Sequence, residues 1–380
     1  MSQYPAFSPA EMRRRRRALE AVISESDVDR VIVYGANGAG SAVQWLTGWP
    51  VTREAAVVVG RDEQDTMFVQ FYNHLPLARQ VAASADVRWG GESTIASAVD
   101  ELRRRGGQRQ RIGVIGPLPF TAAAVLAARA AEVVDLGPQY IRLRLVKSDE
   151  ELEWMRAGAR LSDAGMLALG EHLRSGLTEH DLANVVERAY VPHGGATQIH
   201  YFGVTSMTAP DRCVPAQFTS GRRVEPGDAV TLELSAHHWG YAGQVLRTFA
   251  VEADPTPLYR DLHDVADAAF DAVVATLRDG TTPQEVVDAA GVIEDAGFTT
   301  WDDLVHGYGG GYLPPVLGSR SRPAGPLPPL SFAAGMTVVV QPNVVTRDGT
   351  AGVQTGELVV VTPHGAESLH DVPRGLRRAG

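Results

Sequence analysis

Glu233 is the first residue whose type and setting could carry acid–base chemistry. It lies in Thr231-Leu232-Glu233-Leu234-Ser235. Period-two alternation puts Thr231, Glu233 and Ser235 on one face of a strand and Leu232 and Leu234 on the other. A carboxylate in mid-strand is costly to bury unless paired, and Arg247 is the cation expected to pair with it. A general base must change protonation near neutrality and reach the substrate. His200, in Gln198-Ile199-His200-Tyr201-Phe202-Gly203, shares a face with Gln198 and Phe202 and is expected on a strand entering the pocket. His237 and His238 precede Trp239-Gly240 and read as a hairpin turn. Cys213, the one cysteine, has no general base at a recognisable spacing.

Other chemistries are excluded by composition. A single cysteine forms no internal disulfide and no thiolate zinc cage. Gly35, Gly38 and Gly40 are spaced G-x-x-G-x-G, and Lys147 is the only lysine, so no P-loop lysine accompanies them; they read as a glycine turn. The net charge of −10 is uneven. Residues 1–145 hold 18 arginines against 15 carboxylates, whereas residues 146–380 hold 17 basic residues against 30 acidic ones. That balance disfavours polyanions, so no nucleic-acid partner is expected. Arg13 to Arg17 read as the solvated face of a first helix. Ser8, Pro9 and Glu11 stand at its N-cap, N1 and N3, a capping box. The longest apolar runs are strand-sized, so no membrane span is expected. No apolar leader follows the arginines, and the cytoplasm is the expected compartment.

These residues need elements to position them. Residues 1–145 alternate strand runs (Val31–Tyr34, Ala55–Val59, Met67–Gln70, Ile112–Ile115, Val133–Leu136) with helical stretches such as Ile95–Arg105 and Thr121–Ala130, an α/β pattern. From Lys147 the pattern turns helical, with Ser148 at N-cap and Glu151 at N3. Another helix is expected at Glu179–Ala189. Strands follow at Ala229–Leu234 and Gly243–Val251, helices at Leu258–Leu277 and Pro283–Ala296, then strands at Thr337–Gln341 and Leu358–Thr362. The expected class is α+β, with an α/β domain over 1–145 and a second domain over 146–380.

The order of motifs in the second domain then carries a resemblance. Gly227-Asp228 opens a strand; Glu233 follows, then Gly240-Tyr241, Arg247-Thr248-Phe249, His306-Gly307-Tyr308-Gly309, Gly335-Met336, Gln341-Pro342 and Val359-Val360-Val361-Thr362. Over roughly 147–365 this resembles the pita-bread fold of methionine aminopeptidases, Xaa-Pro peptidases and creatinase (peptidase family M24). The preceding domain is similar in size to that of the creatinase and Xaa-Pro dipeptidase branch. Peptidases of the family hold two metal ions on two Asp, one His and two Glu, ligands that suit divalent cations and an activated bridging water. By resemblance those positions fall here on Glu233, Gln244, Gly310, Gln341 and Gly356, with Glu357 beside the last. One carboxylate in five implies a site without metal, and no cofactor is expected. A rebuilt metal site on His200, His237 or His238 is the counter-reading.

Creatinase is the precedent for metal-free hydrolysis of a C–N bond, by a histidine base and glutamates. Its histidine region reads Cys213-Val214-Pro215-Ala216-Gln217 here, and its first glutamate falls on Leu246, so that machinery is absent too. What remains is His306, matching the family's substrate-facing histidine, with Glu233, His200 and Glu357 as the expected catalytic set. Gln244 and Gln341 each bring a donor and an acceptor. With Tyr308, Tyr312 and Arg247 they form the expected substrate-binding set. Gly309, Gly310 and Gly311 remove side-chain bulk between the two tyrosines. The resemblance implies a metal-independent hydrolase (or a lyase or isomerase) acting on a small amide, urea or guanidino compound. It also implies a homodimer in which the first domain, around Tyr72-Asn73-His74, completes the neighbour's pocket. A non-catalytic binding protein is the alternative.

Overall fold

The computed structural model describes residues 4–37, 41–106 and 109–380; Gly38 and Gly40 of the glycine turn lie outside them. The chain divides into two compact units, Met1–Arg144 and Leu145–Gly380.

The first unit is built on a mixed sheet of β1 (Arg30–Ala36), β2 (Glu54–Gly60), β3 (Thr66–Val69), β4 (Asp86–Trp89), β5 (Arg111–Ile115) and β6 (Glu132–Asp135), in the order β4-β3-β2-β1-β5-β6. Alternation divides its apolar residues between two layers. Val31, Val33, Val57 and Val59 pack with Leu19, Val22 and Ile23 of the first helix, while Ile32, Ala56 and Val58 pack with Ile95, Ala98 and Leu102 on the other side. The arginine run differs from its expected solvated face. Arg15 is fully buried and stacks over Phe7. Ser8 caps the helix, but the Glu11 carboxylate turns to Arg14 and Arg15, which hold it down to about 2 against the pull of burial. Arg16 reaches Asp65. A helix face that must cover a sheet cannot leave five consecutive positions in water, because 3.6 residues per turn carry at least one of them inward.

The second unit opens with the helix Asp149–His172, closed at its start by the Ser148–Glu151 capping box. Its main sheet contains β7 (Ala196–Ser206), β8 (Asp228–His238), β9 (Tyr241–Val251), β11 (Val305–Tyr308), β12 (Tyr312–Leu317), β13 (Thr337–Val340) and β15 (Gly356–Val361), in the order β12-β11-β13-β15-β9-β8-β7. A short pair, β10 (Thr299–Thr300) and β14 (Val344–Val345), stands apart. The path is antiparallel throughout. Helices cover one face. Leu232, Leu234, Val245 and Phe249 pack with Leu161, Leu169, Leu182 and Val186, and Val338, Val340, Val359 and Val361 pack with Leu262, Phe270 and Val273. Each such side chain contributes about 1.5–3 kcal/mol. The first helix lies so close to β9 that a Cβ on Gly243 would sit 2.3 Å from the Ala159 Cα. The other face of the sheet is left for polar residues. The sequence-predicted helix over 283–296 is two short helices, Pro283–Ala289 and Val292–Asp295.

Candidate active site

Strand register decides which side chains meet on the open face, open here meaning uncovered by helices, since Gln244 and Gln341 are each 2% exposed and His306 1%. Glu233 pairs with Leu246 and Ser235 with Gln244, so Glu233 and Gln244 share that face. Leu246 pairs in turn with Gly356. On the far strands His306 pairs with Val339 and Tyr308 with Tyr312, one parity apart from the helix-packed Val338 and Val340. The open face thereby gathers Glu233, Gln244, Gln341, His306, Tyr308 and Tyr312 from five strands and their ends.

Their geometry is tight. The Gln244 amide nitrogen donates to Glu233 Oε1 at 2.7 Å and to Gln341 Oε1 at 3.0 Å. The His306 ring stacks on Tyr312 with centroids 3.9 Å apart and meets Tyr308 edge-on at 5.6 Å. His306 Nδ1 lies 3.2 Å from the Gly307 carbonyl. A carbonyl only accepts, so the ring proton sits on Nδ1 and Nε2 keeps a lone pair. Burial lowers His306 to about 4, because desolvation penalises the imidazolium. Burial raises Glu233 to about 8, helped by the charges of Asp302 and Asp303. The group titrating near neutrality is therefore Glu233. His306, expected in that role, is neutral there. Burial also pushes the Tyr308 phenol up to about 12.

Three expected site residues lie elsewhere. Arg247 pairs with Leu232, and Glu357 with Val245, so both point to the helix-covered face. Arg247 bonds Glu357 at 2.6 Å, not Glu233. Its remaining donors go to the carbonyls of Leu246, Gly356, Val372 and Pro373. Ser368 donates to the second Glu357 oxygen at 2.7 Å. His200 pairs with Leu234 and shares the parity of Phe202, which is packed in the helix-side core; its Nδ1 lies 3.3 Å from Glu187. A bulge between Thr197 and Ile199 interrupts the register just before it. His237 and His238 end β8 at the turn, where His237 Nδ1 accepts the Gly240 N–H at 2.9 Å and His238 meets Trp154 edge-on. Cys213 is buried and its thiol is pushed up by desolvation, the opposite of an activated nucleophile.

Sequence reasoning missed four residues. Tyr201 pairs with Glu233 and takes the place on the open face given to His200. Asp302 and Asp303 stand in the segment before β11. The Tyr312 hydroxyl donates to Asp303, and the Asn343 amide nitrogen donates to Asp302 at 3.2 Å. These three lie outside strands, where no periodicity marks them. The cross-strand partner of Glu233 could have been found only by pairing β7 with β8.

The residues that the family resemblance puts at the five positions of a paired-metal centre do not fit two divalent ions. Gln244 presents an N–H₂ group to Glu233 and Gln341, where a dication needs anionic oxygens. Gly310 and Gly356 offer no side-chain donor. A Cβ on Gly356 would lie 2.3 Å from the Val340 carbonyl oxygen, and its φ of +151° suits glycine. Among the described residues no group of three or more His, Cys, Asp or Glu is arranged to hold a metal.

The architecture and the open polar face together define a pita-bread domain that follows a smaller α/β domain in the chain. The model of metallopeptidase family M24 matches residues 153–363, and the chain belongs to that family. The Xaa-Pro dipeptidase of Pyrococcus furiosus is 21% identical, with 96% of this chain and 100% of that protein covered. An uncharacterised hydrolase/peptidase, y4tL, of Sinorhizobium fredii is 27% identical over 77% of this chain and 78% of its own length. The crystal structure of dipeptidase PepE from Mycobacterium ulcerans superposes with a TM-score of 0.82 at 24% identity, covering 99% of this chain and 100% of that one. No helix among the described residues is long and apolar enough to cross a membrane.

Proposed function

We propose that this chain is a hydrolase that cleaves a C–N bond in a small polar substrate without a metal ion. The observation that carries the reading is Glu233, raised to about 8 beside the Gln244–Gln341 amide pair. Near neutrality it holds a proton, and a carboxylic acid on an open face can hand that proton to a departing nitrogen. His306 keeps a neutral ring in hydrogen-bond contact with the Gln341 side chain, and its unprotonated nitrogen suits it to take the proton of an attacking water. Gln244 and Gln341 suit a neutral amide or urea group, since each can donate and accept. Tyr308 and Tyr312 wall the site. Hydrolysis accords with the names of the relatives, which are peptidases and hydrolases; cleavage of Xaa-Pro dipeptides is the activity named for some of them. The homodimer implied by the family resemblance is part of the reading, and light scattering checks it.

The test is elemental analysis after growth with manganese, cobalt, iron and zinc, alongside turnover of small amides, ureas and amidines with and without chelator. The expected result is below about a tenth of an equivalent per chain and turnover indifferent to chelation. About one or two equivalents, with turnover lost on chelation, overturns the reading.

A further inference from the structure

Among the described residues, the open face carries three carboxyl side chains that no ion pair engages. Glu233, Asp302 and Asp303 lie within electrostatic reach of one another. Among the described residues none of the three takes part in an ion pair, and the cation whose charge reaches Asp302 is the exposed Arg322. Beside them Asn343 is 1% exposed, and its Nδ2 donates to Asp302 at 3.2 Å. The Asn343 Oδ1 on the same amide is buried and has no hydrogen-bond partner. A buried acceptor left without a partner is costly unless something donates to it. Tyr312 is 52% exposed, with one ring face stacked on His306 and its hydroxyl committed to Asp303. The groups left over at this end are thus acceptors and an aromatic face.

We infer that Asp302, Asp303 and Asn343 form an anchoring subsite for a cationic, N–H-rich end of the substrate, an ammonium or guanidinium group. The inference rests on the reading of this face as a substrate site. Carboxylates accept charge-assisted hydrogen bonds from such a cation, the Asn343 oxygen takes a further N–H, and the open Tyr312 face attracts positive charge. The anchor would hold the substrate by its charged end while the neutral C–N bond faces Glu233 and the two glutamines.

The test is calorimetric titration of the full chain with four probes: butylguanidinium, butylammonium, butylurea and butyrate. The expected result is that at least one cation binds about tenfold or more tighter than butylurea and that butyrate is rejected. The double variant D302N/D303N should erase that preference. Should it fail to fold, the single variant Asp303→Asn at a partly exposed position carries the same test. Equal binding of butylurea, binding of no probe below about 10 mM, or a preference unchanged in the variants overturns the anchor. The cation preference is read without turnover, so the two readings fail separately. Cation preference with no hydrolysis of any compound keeps the anchor and rejects the hydrolase. Hydrolysis of neutral amides with no cation preference does the reverse.

Discussion

Leu232 and Glu233 are neighbours in β8, yet the residues opposite them, Arg247 and Leu246, face opposite sides of the sheet. On the helix side, Arg247 has every donor engaged, and Glu357 has both oxygens engaged. Nearby, the buried His370 lies 2.7 Å from Asp163. On the open side, Glu233 is raised to about 8, and Asn343 keeps an unpartnered oxygen. Both clusters are polar and lie on adjacent strands. The difference is completeness of pairing. A buried charge whose partners are all supplied by the fold serves the fold; groups left short of partners are available to a substrate.

Substitutions can break this contrast from either side. Glu233→Gln keeps the shape and the bond to Gln244 but removes the proton. Turnover should fall about 10²–10⁴-fold, with melting at neutral pH unlowered; undiminished turnover would reassign the acid. On the opposite face, Glu357→Gln leaves Arg247 charged and buried without its counter-ion. Denaturant titration should show a loss of about 3–5 kcal/mol, and a neutral result would make the two faces alike.

The pH dependence sharpens the comparison. The kcat/KM profile should fall as pH rises through about 8, where Glu233 loses its proton, and fall again as pH drops through about 4, where His306 gains one. Stability has its own signs. A carboxyl raised from 4.5 to about 8 holds its proton more firmly in the folded chain, so its contribution is full below 4.5 and is lost as pH rises through about 8. His306 acts conversely: its contribution is present above 6.5 and is lost as pH falls through about 4. Melting temperatures across this range should lose the alkaline slope in Glu233→Gln; an unchanged slope places the proton elsewhere. The smallest effect is expected at His200. Its replacement by Ala removes a partly exposed contact with Glu187, worth about 0–1 kcal/mol. Turnover should not change, and a large kinetic loss would return His200 to the site.

How much of this was legible depended on which interaction carried each feature. Capping at Ser148 and Thr178 is local, and the helices Asp149–His172 and Glu179–Tyr190 begin where the sequence says they should. Alternation within one strand correctly grouped Thr231, Glu233 and Ser235. It could not say which face the group turns toward, because that depends on pairing between strands distant in sequence. His200 shows the cost: its parity with Phe202 was readable, but the side of the sheet was not. Arg247 and Glu357 were misplaced for the same reason. Asp302, Asp303 and Asn343 sit in connecting segments with no repeating pattern to read. The charge run at Arg13–Arg17 misled because composition does not reveal that Phe7 and Trp45 wait to receive Arg15.

Gly356 locks the backbone of two neighbouring strands together. With the Val340 carbonyl where a first side-chain carbon would stand, no side chain fits at this position while β13 stays in place. β13 would have to move first, and it holds β11 and β15 in register, with His306 carried on β11. Such a strand works as a fixed rail, and what this face binds can change through the side chains it carries more readily than through its backbone.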